Sequence, residues 1–252
     1  TRPVSLSAPS LPPFFAAGRT STVPVPPPAG FELAVPVVLP IQGNHPNVYM
    51  AFGDSITQGD GSRGRRGYRD TLARDLRDYW GAAEVVNEGE SATRSSDGAA
   101  RLGARLRAVR PAYALILYGT NDWNSFVCRH VDECFTLPSL RQMIREARAA
   151  GTVPVVATLP PANPASRDPL AADRNSWVLE TNSLLRPLVR AEGGVLADVH
   201  AAFLDEAGSN LPALFTDHVH PNDRGYSVIA AEFFRAITRP VGASAASRPL
   251  ER

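Results

Sequence analysis

Short apolar runs alternate along most of this chain with longer stretches whose apolar residues return every three to four positions. Val48–Phe52 is a compact apolar run, as a buried strand would have. Near Tyr68–Trp80 the residues Leu72, Leu76, Tyr79 and Trp80 fall at helical spacing. Glu84–Asn87 reads as a second strand, followed by a helix over about 97–109 carrying Leu102, Leu106 and Val109. Tyr113–Tyr118 is a third strand. Pro138–Ala150 is a helix that stops at Gly151, a residue suited to ending helices. Val153–Leu159 is the fourth strand, Trp177–Glu192 a helix before Gly193-Gly194, Val195–Val199 the fifth strand, and about 223–238 the last helix. Strand alternating with helix implies βαβ units on a parallel sheet. Right-handed crossovers then give a three-layer α/β/α sandwich around five parallel strands.

The first 46 residues break this rhythm. They hold 11 of the 23 prolines, and Pro24-Val25-Pro26-Pro27-Pro28 favours extended polyproline backbone over helix. Val35–Ile41 reads as an extended piece lying against the main domain. Residues 1–46 are therefore expected to be an arm or linker, 47–240 the folded domain, and 241–252 a flexible tail.

Composition narrows the chemistry. The net charge is +1 over 252 residues, so no dominant basic face for nucleic acid is expected. All 26 basic residues are Arg, which excludes a Walker A loop, since that loop needs Lys. No apolar run approaches the ~18 residues of a membrane span. Cys128 and Cys134 lack the company of a zinc site, so no metal is expected. A disulfide closing one short loop is the favoured reading; two free buried thiols is the alternative. The bridge would imply an oxidising compartment, so the expected location is secreted or periplasmic. The opening residues lack a signal-peptide pattern, and a mature, trimmed chain is the expectation.

In open α/β sheets, ligands bind beyond the carboxyl ends of the strands. After the first strand comes Gly53-Asp54-Ser55-Ile56-Thr57, after the second Asn87-Glu88-Gly89, after the third Gly119-Thr120-Asn121-Asp122. Between the fifth strand and the last helix lies Asp217-His218-Val219-His220-Pro221. A serine hydroxyl needs a neighbouring base, and a histidine oriented by a carboxylate is the usual one. Ser55 is the candidate nucleophile, His220 its base and Asp217 the orienting carboxylate. Pro221 keeps His220 out of helical geometry, and Asn222 or Asp223 can cap the helix that follows. The backbone N–H groups of Ser55 and Gly89 and the amide of Asn121 are candidate oxyanion donors. Asp54 and Asp122 are expected to brace loops. Trp123 and Phe126, beside Asn121, are candidate substrate contacts; buried anchoring is the competing reading for them. His218 lacks the following proline and is a poorer base than His220. Asp198 and His200 read as structural.

These four blocks resemble, in order, those of the SGNH (GDSL-like) serine hydrolases over residues 47–238. Gly-Asp-Ser-Ile-Thr at 53–57 is similar to the first block, Gly89 to the glycine of the second, Gly-Thr-Asn-Asp at 119–122 to the third, and Asp217-x-x-His220 to the last. Ile56 replaces the leucine of GDSL, and Ala92 stands where a second glycine often follows Gly89. The resemblance implies a flavodoxin-like fold, no cofactor or metal, and hydrolysis of carboxylic esters through an acyl-enzyme. The expected substrates carry short-chain acyl or acetyl groups, on carbohydrates or other small alcohols. A lipase or lysophospholipase activity on lipid esters is the alternative within the class.

Two other classes fit the sequence less well. Gly59-Asp60-Gly61-Ser62-Arg63-Gly64 fits the dinucleotide fingerprint, but that fingerprint begins in the turn directly after its strand, and here six residues intervene. A non-catalytic carbohydrate-binding module on a hydrolase fold would be expected to have lost a reactive residue, and none is missing. No G-x-S-x-G elbow occurs.

Overall fold

The computed structural model describes residues 2–5, 20–23 and 41–238. Near the start of the chain, β1 (Arg2–Ser5) and β2 (Thr20–Val23) pair antiparallel. The expected polyproline run at 24–28, nearly all of the extended piece at 35–41 and the tail at 241–252 lie outside the described residues. The chain divides into two units, Thr1–Pro40 with Ile237–Arg252, and Ile41–Ala236.

The second unit runs as the apolar pattern demands. In chain order it contains β3 (His45–Gly53), α1 (Ser55–Gln58), α2 (Arg69–Trp80), β4 (Glu84–Gly89), α3 (Ser95–Val109), β5 (Pro111–Leu117), α4 (Thr136–Ala149), β6 (Val153–Ala157), α5 (Ala171–Ala191), β7 (Val195–Ala197), α6 (Val199–Ala207) and α7, which runs Asp223–Thr238. The five parallel strands lie in the order β4-β3-β5-β6-β7. Every residue of β5, the central strand, is buried, which is why it reads as an unbroken apolar run.

Side chains alternate across a strand. Met50, Phe52, Ala114, Ile116 and Val156 share one core with apolar residues of α3, α4 and α5, among them Leu102, Met143 and Leu185. Tyr49 and Tyr113 project to the other face and stack at 4.8 Å. Tyr68, immediately before α2, meets Phe233 of α7 at 5.2 Å. Truncating a fully buried leucine such as Leu102 would cost about 2–5 kcal/mol.

Three features departed from expectation. α6 fills what read as the approach to the last helix; it is initiated by the Asp198 side chain, which accepts from Ala201 N–H. α5 begins six residues earlier than its apolar spacing predicts. Its first turns carry Arg174 and Asn175, whose polar groups bond to Asn124 and Ala162 rather than extending the apolar stripe. β1 and β2 were not anticipated in the proline-rich arm.

The register sets up the site. Gly53 at the end of β3 pairs with Gly89 of β4 on one side and Leu117 of β5 on the other. The loops leaving these three strands therefore start side by side. β4 is added on one side of β3 and β5 to β7 on the other, so the order of winding reverses at β3 and the loop after it stands at the switch point where such sheets bind ligands.

Candidate active site

Asp54 starts the short helix α1: its Oδ1 accepts from Ile56 N–H at 2.9 Å. Ser55 is thereby held at a helix start, buried apart from 8% of its surface. Its Oγ lies 2.9 Å from His220 Nε2. His220 Nδ1 is 2.7 Å from Asp217 Oδ2. A carboxylate only accepts, so Nδ1 carries the proton and Nε2 is left to receive the serine hydroxyl. The other Asp217 oxygen accepts from the N–H groups of Val219 and His220 at 2.9 and 2.7 Å. Burial pushes the Asp217 carboxyl up, but the His220 ring and those two backbone donors outweigh it and hold the group below the usual carboxylate range. Asp217 thus stays an anion beside the ring.

The 215–222 turn is closed on itself. Thr216 N–H donates to His220 O, Asn222 N–H to Leu214 O, and Phe215 bridges Pro221. Asn222 Oδ1 accepts from Arg224 and Gly225 N–H, so Asn222 rather than Asp223 begins α7. His218 Nδ1 stays 3.8 Å from Asp217, beyond hydrogen-bond reach, which leaves His220 as the ring the carboxylate orients. The glycine-rich loop that mimics a dinucleotide fingerprint packs here. A Cβ on Gly61 would sit 2.6 Å from Pro221 O and 3.0 Å from His220 Cβ, and Thr216 Oγ1 donates to Gly61 O. Its glycine allows close approach to the histidine turn.

The second-strand end differs from expectation. Gly89 N–H is committed to Asn87 Oδ1 at 3.0 Å, so it is not a free oxyanion donor. A side chain at 89 would lie 2.2 Å from Gln58 N, so its glycine serves close packing of β4 against α1. Ala92 holds φ at +65°, the left-handed conformation that favours glycine. The backbone turn that a second glycine would make there is therefore kept, with an alanine in it.

Asn121 Nδ2 donates to Thr93 O at 3.0 Å, using one of its two amide hydrogens. Asp122 beside it is buried and accepts from Ser95 N–H, Ser95 Oγ and Thr136 Oγ1 at 2.9, 2.6 and 2.6 Å. Burial still raises its carboxyl above the usual range. The same is true of Asp54, pushed up to about 7 by burial, with one oxygen buried and without a hydrogen-bond partner among the described residues.

The two aromatic candidates separate. Trp123 is buried, 5.9 Å from Trp177 and covered by the Arg129 guanidinium at 4.6 Å, as a loop anchor would be. Phe126, three residues on, is 90% exposed. Cys128 and Cys134 form the disulfide, and Cys134 Sγ touches Thr136 Oγ1 at 3.0 Å. Asp198 is held by Arg186 at 2.8 and 3.0 Å and by Thr158, and His200 is buried, in keeping with structural duty.

Two arginines that sequence reasoning missed tie these loops together. Arg101 of α3 donates to Glu88 O at 2.6 Å and to Gly53 O at 3.2 Å, with its guanidinium 4.2 Å over Phe52. Arg174 of α5, largely buried, donates to Asn124 Oδ1 at 3.2 Å and Thr120 O at 3.4 Å. Nothing in their local sequence sets them apart from the other arginines. Among the described residues, no three His, Cys, Asp or Glu side chains gather as a metal site requires, and no helix is long and apolar enough to cross a membrane.

A parallel sheet with a serine, histidine and aspartate chained at its carboxyl edge defines a serine hydrolase of the α/β/α sandwich type. Residues 51–228 match the model of the GDSL-like lipase/acylhydrolase family, and the chain belongs to that family. It is accordingly a serine-dependent hydrolase of carboxylic esters. Solved structures share the fold. An acetylxylan esterase from Geobacillus stearothermophilus superimposes with a TM-score of 0.63 at 24% identity, over 77% of this chain and 94% of that one. A lipase/acylhydrolase from Enterococcus faecalis gives 0.61 at 23%, over 77% and 96%. A member of the lipolytic G-D-S-L family from Veillonella parvula DSM 2008 gives 0.61 at 20%, over 76% and 98%. A search of curated protein sequences finds no match.

Proposed function

We propose that this enzyme removes short acyl groups, acetyl foremost, from small or carbohydrate alcohols, with Ser55 as nucleophile. The observation that carries the assignment is the unbroken chain Ser55–His220–Asp217, at 2.9 and 2.7 Å. His220 takes the Ser55 proton as Oγ attacks the ester carbonyl. The carbonyl oxygen becomes an oxyanion, received by the Ser55 N–H and the Asn121 amide. His220 then gives its proton to the leaving alcohol oxygen as the carbon–oxygen bond breaks. Water, deprotonated by His220, attacks the acyl-serine, and the acid leaves as Oγ regains its proton. Asp217, held ionised, keeps the ring oriented and balances its charge while it is protonated.

A second reading has its own support. Phe126 and Val127 are exposed beside the Asn121 loop, as an enzyme that meets lipid esters could use. A chain-length series of 4-nitrophenyl esters decides between them. The proposal expects the acetate to outperform the decanoate in kcat/KM, with activity lost in Ser55→Ala. A preference for the decanoate would establish the lipid reading instead. We also propose a secreted or periplasmic location, supported by the Cys128–Cys134 bridge. Export to the medium or periplasm, checked by fractionating the source cells, is the expected result.

A further inference from the structure

We propose that Arg101, Tyr118 and Thr93 form a hydrogen-bond relay that aims the Asn121 amide at the oxyanion, which makes all three positioning residues for the hydrolysis. This rests on the reading above of Ser55 as nucleophile and Asn121 as oxyanion donor. A side-chain amide has two N–H bonds, and it can direct one at a substrate only while the rest of the group is held still. Asn121 Nδ2 donates one hydrogen to Thr93 O at 3.0 Å, so the direction of the other depends on where that carbonyl stands.

Counting hydrogens gives the relay its direction. Thr93 Oγ1 donates to Glu90 O at 2.6 Å, which uses its single proton. Tyr118 OH lies 3.2 Å from the same oxygen and must therefore be the donor to it. Burial pushes the Tyr118 phenol up, so it keeps that proton. The phenol oxygen in turn accepts from Arg101 Nη2 at 2.8 Å and Nε at 3.2 Å. From Arg101 through Tyr118 and Thr93 to Glu90, each group donates to the next, and the first bond is charge-assisted. The same guanidinium holds Gly53 O, and Glu90 N–H donates to that carbonyl at 3.0 Å. The relay is thus referenced to the strand end that carries Ser55.

Two details of the sequence suit this arrangement. Gly98 lies one turn before Arg101 in α3, and a Cβ there would sit 2.6 Å from Tyr118 Cε2, so the glycine admits the phenol. Ala92 holds φ at +65° in the turn that ends at Thr93. That conformation costs an alanine roughly 1–2 kcal/mol, so the turn needs side-chain bonds to keep its shape. Ser95 N–H on Asp122 already joins the two loops. The relay adds the orientation of the Thr93 carbonyl between them. Arg101 is neutralised locally, with Glu90 at 3.2 Å and Glu88 at 3.9 Å, so it acts through Tyr118 rather than as a free charge toward substrate.

The test is a double-mutant cycle read on 4-nitrophenyl acetate. Tyr118→Phe keeps the ring and deletes the hydroxyl; it should lower kcat about tenfold, the worth of one hydrogen bond, with KM near wild type. Asn121→Ala should itself lower kcat about 10²–10³-fold, as loss of an oxyanion donor does. Adding Tyr118→Phe to Asn121→Ala should then change kcat by less than about twofold, because the group it aims is gone. Thr93→Val, at a partly exposed turn, carries the same comparison independently, and Thr93→Ser, which keeps the hydroxyl, should retain wild-type kcat. Melting curves confirm that each variant is folded. Equal losses with and without Asn121 would mean that the hydroxyls act on the fold as a whole, and no loss in either single variant would mean that they aim nothing; each result overturns the relay. Wild-type kcat in Asn121→Ala would remove the amide from the oxyanion site, and the relay with it, while Ser55 remained the nucleophile. Absence of Ser55-dependent hydrolysis in wild type would instead remove the esterase reading itself.

Discussion

Two loops border the catalytic edge and are built by opposite means. In the 215–222 turn the carboxylate is held locally: Asp217 accepts from the backbone of 219 and 220 and from the His220 ring, while Gly61 and Asn163 brace the turn from outside. The 121–136 loop is held from afar. Asn121 is bonded to Thr93, Asp122 to Ser95 and Thr136, Asn124 to Arg174, and a disulfide closes the middle. A turn that satisfies itself fixes where its side chains point. A loop satisfied by distant partners leaves each side chain to be placed by packing, so neighbours such as Trp123 and Phe126 end up buried and exposed. The proposed nucleophile and base sit on α1 and on that turn, where the carboxylate and the histidine are placed by bonds between near neighbours.

The sharpest break removes the reacting group. Ser55→Ala should lower esterase activity by several orders of magnitude with the melting temperature nearly unchanged, because the side chain contributes little packing. Residual turnover above roughly a tenth of wild type would dismiss Ser55 as nucleophile.

The distant support of the second loop is tested by its aromatic pair. Trp123→Ala should cost about 3–5 kcal/mol, as for other buried large side chains. Phe126→Ala should fall within about 0.5 kcal/mol of wild type, as exposed positions do. Urea unfolding of both variants measures the difference; equal costs would mean that the two residues share one environment.

The disulfide should matter next most. By the chain-entropy argument, opening its small ring lowers stability by ~2–3 kcal/mol. Thermal melts with and without reductant read this out. Ser55 should remain reactive to an organophosphate after reduction, because the self-closed turn does not depend on the bridge. Loss of that reactivity would show that the two loops are coupled.

The smallest effect concerns Asp54, which caps the start of α1. Its folded pKa of about 7 lies above its unfolded value, so the folded state binds more protons between the two. That contribution to stability is present at acid pH and is lost as pH rises through about 7. Asp54→Asn keeps the cap on Ile56 and cannot ionise. Its stability relative to wild type should therefore rise between pH 5 and 8, by an amount on the order of 2 kcal/mol. Melts of the two proteins across that range check the sign, and a difference that shrinks with pH would refute it.

The order of the five sheet strands along the chain, the strand-end edge, and Ser55, Asp217 and His220 as candidates that the fold brings within hydrogen-bond reach were legible in the sequence. Each rests on local information: apolar period, a turn after a strand, or a carboxylate three residues from a histidine before proline. The start of α5, the existence of α6, the packing role of Gly89, the burial of Trp123 and the long reach of Arg101 and Arg174 were not. Those depend on partners far along the chain, such as Gln58 beside Gly89 or Thr120 beneath Arg174. A local pattern can say that a residue is apolar or can donate; only the packed sheet and its helices decide what it meets.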